Sequence, residues 1–194
     1  MTEDLCALEL LKDEMRTDEV HLKVNAIHRL KTVIISIGEE KASSNLTEYV
    51  EGLISMEDDE VLFAIAEELG MCWELIPEKT LFLPLLEKLC NADETVVREQ
   101  AYQSMGAISG SLSDSEIQNS FAPIVIRLAS SERFYGRVSA CHLFAQAYKK
   151  ANGLQDRLRK KFVALCQEDT CIIRRACALK LGEFSTYLDK KHVI

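Results

Sequence analysis

Glu57, Asp58, Asp59 and Glu60 stand side by side, and four adjacent carboxylates are the first place to look for a bound cation. A calcium loop needs ligands at alternate positions, a central glycine and a distal glutamate. The run has none of these, so it reads as a solvated turn capping the helix that follows. Cys166, Cys171 and Cys177 lack the paired spacing of a zinc site, and His142 beside Cys141 adds only one ligand type. The seven cysteines contain no CxxC and fall on apolar helix faces, as reduced core thiols in a reducing compartment would. No glycine-rich phosphate loop and no Ser–His–Asp order is present. The expectation is a chain with no catalytic residues, no metal and no cofactor, whose charged groups serve contacts instead.

Those groups recur at a fixed interval. The stretch EDTCIIRRACALKLGEF (168–184) has an acidic opening, two arginines and then apolar residues at helical spacing. Taking Ile173 as an anchor, its equivalents are Leu22, Val61, Val97 and Gly136, at intervals of 39, 36, 39 and 37 residues, which is a solenoid period. Four residues before the anchors stand Asp18, Glu57, Asp93, Glu132 and Asp169, all acidic. One residue after stand Lys23, Leu62, Arg98, Arg137 and Arg174. Four after come Ala26, Ile65, Ala101, Ala140 and Cys177, and eight after come Leu30, Leu69, Met105, Phe144 and Leu181.

Each unit is therefore expected to be a first helix, an acidic turn and a second helix. Leu11, Val50, Leu86, Val125 and Phe162 stand seven residues before the acids, and Leu53, Leu89, Leu128 and Leu165 four before. That spacing lines one face of the first helix. Glu14 breaks the second column, and its neighbour Met15 is expected in the core instead. Small residues at the middle of the second helix let adjacent units approach closely. Gly70, Gly106 and Gly182 share one register, which predicts close packing or a bend there. Pro84 and Pro123 share another, inside the first helix, which predicts a kink. Trp73 is expected in the core or a groove. The segments 38–44, 75–80, 109–115 and 150–155 read as links. The chain is thus one array over 1–194, with repeats near 1–40, 41–77, 78–111, 112–151 and 152–194.

Composition sets outer bounds. The 194 residues are 47% hydrophobic and 28% charged, an ordinary soluble balance. The acidic amphipathic start, MTEDLCALELLKDEM, is unlike a signal peptide, and the longest apolar runs are too short to span a bilayer. Through Val97 there are 22 acidic and 8 basic residues, or −14; from Arg98 there are 9 and 15, or +6. The first part should repel nucleic acid and anionic membrane, whereas the second suits an acidic partner. The acid and base columns suggest a ladder between units involving Asp18, Lys23, Arg98, Arg137 and Arg174. Such pairs contribute about 0–1 kcal/mol each when exposed and act chiefly on stacking register.

The words EDDEVLFAIAEELG (57–70), ADETVVREQA (92–101), GRVSACHLF (136–144) and DTCIIRRACALKLGEF (169–184) carry a resemblance. The columns match the HEAT repeat, and the words are similar to the A (scaffold) subunits of protein phosphatase 2A, over the family's first five repeats. The resemblance implies an all-α fold, a right-handed α–α superhelix of five antiparallel helix pairs. It also implies a non-catalytic scaffold whose intra-repeat turns line up as a binding ridge. N-terminal repeats would bind regulatory B-type subunits, and later repeats outside this chain the catalytic subunit. The ridge residues carried over are Glu57, Asp58, Asp59, Glu60, Asp93, Glu94, Thr95, Arg133, Phe134, Asp169, Thr170, Arg174 and Arg175. Arg133 stands where the family has tryptophan and Cys171 where it has proline. The fourth turn thus loses its aromatic anchor unless Phe134 or Tyr135 replaces it. After Ile194 no polar capping face is evident, so further repeats are expected beyond it. The location implied is the cytoplasm, with the nucleus left open. The rival expectation is a HEAT adaptor or transport receptor binding acidic peptides through the basic half.

Overall fold

The computed structural model describes residues 4–38 and 42–189. The middle of the expected 38–44 link, the Cys6 side chain and the chain end at Ile194 lie outside the described residues. Every described element is helical. The first pair is α1 (Asp4–Glu14) with α2 (Val20–Ile27) and α3 (Leu30–Ile37). The second is α4 (Thr47–Ile54) with α5 (Asp59–Cys72), the third α6 (Leu83–Leu89) with α7 (Thr95–Ser111). The fourth is α8 (Ala122–Leu128) with α9 (Phe134–Lys150), and the fifth α10 (Gln155–Cys166) with α11 (Cys171–Ser185).

The apolar columns explain this layout. Leu11, Val50, Leu86, Val125 and Phe162 are all buried, as are Leu53, Leu89, Leu128 and Leu165. Met15 is buried in place of Glu14, whose carboxylate turns out to Arg29. Ala26, Ile65, Ala101, Ala140 and Cys177 have no exposed surface. The second helices pack closely on one another, α5 on α7 and α9 on α11 most of all, while successive first helices touch one another less extensively. Small residues in the middle of the second helices permit that approach.

The columns fail at both ends of the array. Leu22 is 43% exposed and Leu181 50% exposed. Phe144, the equivalent of Leu181, is covered by the rings of Phe162 and Phe184 from the following pair, at 5.3 and 6.1 Å. No following pair among the described residues covers Leu181. Gly136, the equivalent of Leu22, sits against Asn91 of the preceding turn, and no preceding turn covers Leu22 among the described residues.

Three local departures have physical causes. The second helix of the first pair bends at His28 and Arg29. There the Arg29 Nε donates to the Asn25 carbonyl at 3.3 Å, and its backbone N–H turns to Ala26 instead. Pro84 is the second residue of α6, so it starts that helix rather than kinking it. Pro123, by contrast, lies inside the continuous helical stretch 114–128, directly after a wide π-helical turn, Ile117–Phe121, as the expected interior proline would. The same wide turn, Ala42–Leu46, precedes α4 without a proline, and there Thr47 Oγ1 donates to the Ala42 and Ser43 carbonyls. The glycine column also divides. Gly70 packs against Ser104, while Gly106 and Gly182 have open space or ordinary contact around them.

Candidate functional site

The turns between paired helices are linked along one edge. Lys23 Nζ lies 2.7 Å from Glu57 Oε2, joining the first pair to the second turn. Arg133 Nη1 lies 2.8 Å from Asp93 Oδ1, and Ser131 Oγ donates to Asn91 Oδ1 at 2.9 Å, joining the third and fourth turns. Arg137 Nε stands 3.1 Å from Glu168 Oε1, joining the fourth and fifth, although its N–H is not aligned for a hydrogen bond. Two further ties connect successive first helices: Lys88 to Glu51 at 2.6 Å, and Arg127 to Glu87 through two bonds of 2.9 and 2.6 Å.

The base column does something the sequence did not suggest. Arg98 Nη1 donates to the carbonyls of Ala92 and Asp93 at 2.8 and 2.7 Å. Arg137 Nη1 donates to Ser131 and Glu132 at 2.5 and 2.9 Å, and Arg174 Nη1 to Glu168 and Asp169 at 2.6 and 2.8 Å. In three successive repeats one guanidinium nitrogen closes its own turn by bridging the same two carbonyls. A turn leaving a helix exposes carbonyls with no partner, and a planar cation with several donors satisfies two at once. The expected carboxylate ladder is therefore corrected at Arg98 and Arg174, whose guanidiniums bind turn carbonyls rather than carboxylates. Asp18 is exposed and makes no ion pair among the described residues, though its charge reaches Lys23.

The remaining candidates divide by accessibility. Asp58 occupies the N-cap of α5 in extended backbone geometry but makes no side-chain cap bond, so the expected cap is absent. Asp59 and Glu60 act on that helix only as negative charges in its first turn. Glu94 caps α7 by accepting from the Thr95 N–H at 3.0 Å, and the Thr95 hydroxyl accepts from Arg98 Nη2 at 2.9 Å. Phe134 is half-buried on the core and tilts against Tyr135 at 4.1 Å. The Arg98 guanidinium lies over the Tyr135 ring at 4.4 Å. Thr170 is the N-cap of α11, also without a cap bond. Arg174 is committed to its turn, while Arg175 beside it is exposed and unpaired among the described residues. His142 is stacked on Tyr102 at 4.1 Å and 10°, with burial pushing the imidazole down to about 4. The described cysteines are free, and no metal-ligating cluster is found among the described residues. No described helix is long and apolar enough to cross a membrane.

Sequence reasoning missed the ties Glu51–Lys88, Glu87–Arg127 and Asp93–Arg133. Two of them join residues 40 apart, so opposite charges one period apart were the available signal.

Two engineered proteins of known crystal structure share the fold, with TM-scores of 0.52 and 0.51 at 15% and 18% identity. They cover 92% and 95% of this chain and 79% and 83% of their own. No family model matches the chain. The 65 kDa regulatory subunit of serine/threonine-protein phosphatase 2A from Arabidopsis thaliana, in its A alpha isoform, is 38% identical over 196 residues, 99% of this chain. The A beta isoform of Homo sapiens is 38% identical over 191 residues, 96% of this chain, and the Dictyostelium discoideum scaffold subunit 33% identical over 196 residues, 99% of it. The chain is homologous to the protein phosphatase 2A scaffold subunits. It spans about a third of their length: 33%, 32% and 34% of these three.

Against the scaffold subunits, the two departures noted in the sequence have mild local consequences. Cys171 is the first residue of α11, a position that favours proline but does not require it for the helix to start. Arg133 reaches across to Asp93, so the fourth turn is tied to the third by charge.

Proposed function

We propose that this chain is a non-catalytic scaffold of a protein phosphatase 2A assembly, which uses its edge of helix–helix turns to bind a regulatory B-type subunit. The observation that carries this reading is 38% identity to scaffold subunits across nearly the whole chain. The linked turns support it, because ties from one repeat to the next hold exposed groups such as Asp93, Arg133 and Arg175 at fixed spacing along one side. Repeats outside these five are assigned the contacts with the catalytic subunit. The reading places the protein in the cytoplasm, with the nucleus left open.

The test is capture by the tagged full chain from a mixture of purified phosphatase subunits and acidic peptides. Retention of a B-type subunit, without the catalytic subunit, is the expected result. Retention of acidic peptides alone would favour an adaptor that uses the basic second half.

A further inference from the structure

The base column is interrupted once. Leu62 stands where the other repeats carry Lys23, Arg98, Arg137 and Arg174, and it is buried. The second turn consequently has no cation of its own to offer its neighbours. Asp59 and Glu60 make no hydrogen bond or ion pair among the described residues, and Glu94 bonds only the backbone N–H next to it. These three carboxylates border a groove of about 1130 Å³ that runs across α2, α5 and the start of α7. Its apolar lining includes Val24 and Phe63, which occupy the same position in successive repeats, and Val96, which is 51% exposed.

An open groove lined by apolar side chains and unneutralised acids, with His21, Asn25 and His28 beside them, has a defined complement. We propose that it binds a basic amphipathic segment of a partner protein, whose apolar side chains cover Val24, Phe63 and Val96 while its lysines or arginines meet Asp59, Glu60 and Glu94. Charge decides the class. The chain through Val97 has 22 acidic and 8 basic residues, so an acidic segment is repelled both by the border and by its surroundings. A neutral apolar segment would leave the carboxylates facing a low-dielectric contact without partners, which is costly. An amphipathic segment laid in such a groove uses a few apolar anchors for affinity and flanking charges for orientation. This inference rests on the proposed binding edge, to which Asp59, Glu60 and Glu94 belong, and a synthetic peptide probe lets the groove fail while capture of a B-type subunit still stands.

The experiment is fluorescence anisotropy with the full chain. The probe is a labelled synthetic peptide of leucine and lysine at amphipathic helical spacing, compared with its glutamate-for-lysine counterpart. Asp59→Asn/Glu60→Gln/Glu94→Gln should weaken the basic peptide about tenfold or more. Glu48→Gln/Glu74→Gln/Asp114→Asn changes net charge equally at exposed sites away from the groove, and should weaken it by less than about threefold. Val96→Ser, an exposed position that tolerates a smaller side chain, should weaken it about threefold or more. Equal losses with both triple variants would overturn the proposal by showing attraction to overall charge. So would failure of the basic peptide to bind, preference for the acidic counterpart, or self-association of the chain that the groove triple abolishes.

Discussion

A Cβ placed on Gly70 would lie 2.2 Å from the Ser104 hydroxyl oxygen and 2.7 Å from the Ser104 Cβ. That hydroxyl donates to the Ala66 carbonyl at 2.7 Å across the same helix pair. The two residues therefore fix how closely α5 and α7 approach. Gly70→Ala should destabilise by about 1–3 kcal/mol through overpacking. Gly182→Ala, with nothing within 4 Å of the added atom, should stabilise by up to about 1 kcal/mol through helix propensity. Urea unfolding of the two variants should therefore shift the midpoint in opposite directions.

Ala101 and Ala140 have no exposed surface and belong to the small-residue column of the second helices. Ala101→Leu and Ala140→Leu should each lower stability by about 1–3 kcal/mol. Unchanged melting temperatures in both would show that the column does not mark a tight interface.

The turn clamps differ in burial. Arg98 is buried beneath Tyr135, whereas Arg174 is exposed. Lysine retains the charge but is one bond shorter than the reach to Nη1, and it lacks the second nitrogen that Arg98 sets on the Thr95 hydroxyl. Arg98→Lys should cost about 1–3 kcal/mol, the range for charged hydrogen bonds left unmade in a buried site. Arg174→Lys should cost less, because water can satisfy the freed carbonyls. Equal costs in denaturant titrations would mean that burial does not set the value of the clamp.

His142 gives a pH test. Burial first, and the Lys180 charge second, hold its imidazole down at about 4, with Glu183 opposing. Between an ordinary imidazole near pH 6.5 and that lowered value, the unfolded chain takes up a proton that the folded chain refuses. Stability from this group is therefore complete above pH 6.5 and is lost as pH falls toward 4, by on the order of 2–3 kcal/mol. His142→Phe keeps an aromatic ring against Tyr102 and removes the proton site. Urea midpoints measured from pH 7 to 4.5 should fall more steeply for the unsubstituted chain than for the variant. Parallel curves would show that His142 is accessible to protons in the folded state.

The helix pairs were legible because burial imposes one pattern on every unit. Leu86, Val125 and Phe162 are apolar at the same register since each must face a core. The same logic misplaced Leu22 and Leu181, because a column says which face is apolar but not whether a neighbour covers it. The arginines were harder. Arg98 and Arg174 stand five residues after the acids Asp93 and Asp169, yet the turn exposes backbone carbonyls nearer to their reach, and carbonyls leave no trace in residue identity. The groove was legible only as an omission: Leu62 is the one apolar residue in a basic column, and its effect lies on the side chains of its neighbours. Proline spacing misled because Pro84 begins a helix that the apolar pattern alone would have started earlier.

Arg174 and Arg175 divide two tasks between adjacent side chains. Arg174 spends its Nη1 on the Glu168 and Asp169 carbonyls, which fixes the fifth turn. Arg175 is exposed, and no hydrogen bond or ion pair engages it among the described residues. A guanidinium held on a rigid helix start offers paired donors to a partner's carboxylate. On the proposed reading, Arg175→Glu should weaken binding of a B-type regulatory subunit while leaving the fold intact, since no internal contact is lost. The loss should reach about 2 kcal/mol if the contact is buried and be small if it lies at the rim. The measurement is affinity by calorimetry beside thermal melting of the free chain. Arg174→Glu serves as the contrast: it should lower the melting temperature, because it removes the turn clamp and sets a carboxylate against two carbonyl oxygens. Equal affinity of the unsubstituted chain and Arg175→Glu would remove this residue from the binding edge. A lowered melting temperature in Arg175→Glu would make it structural instead.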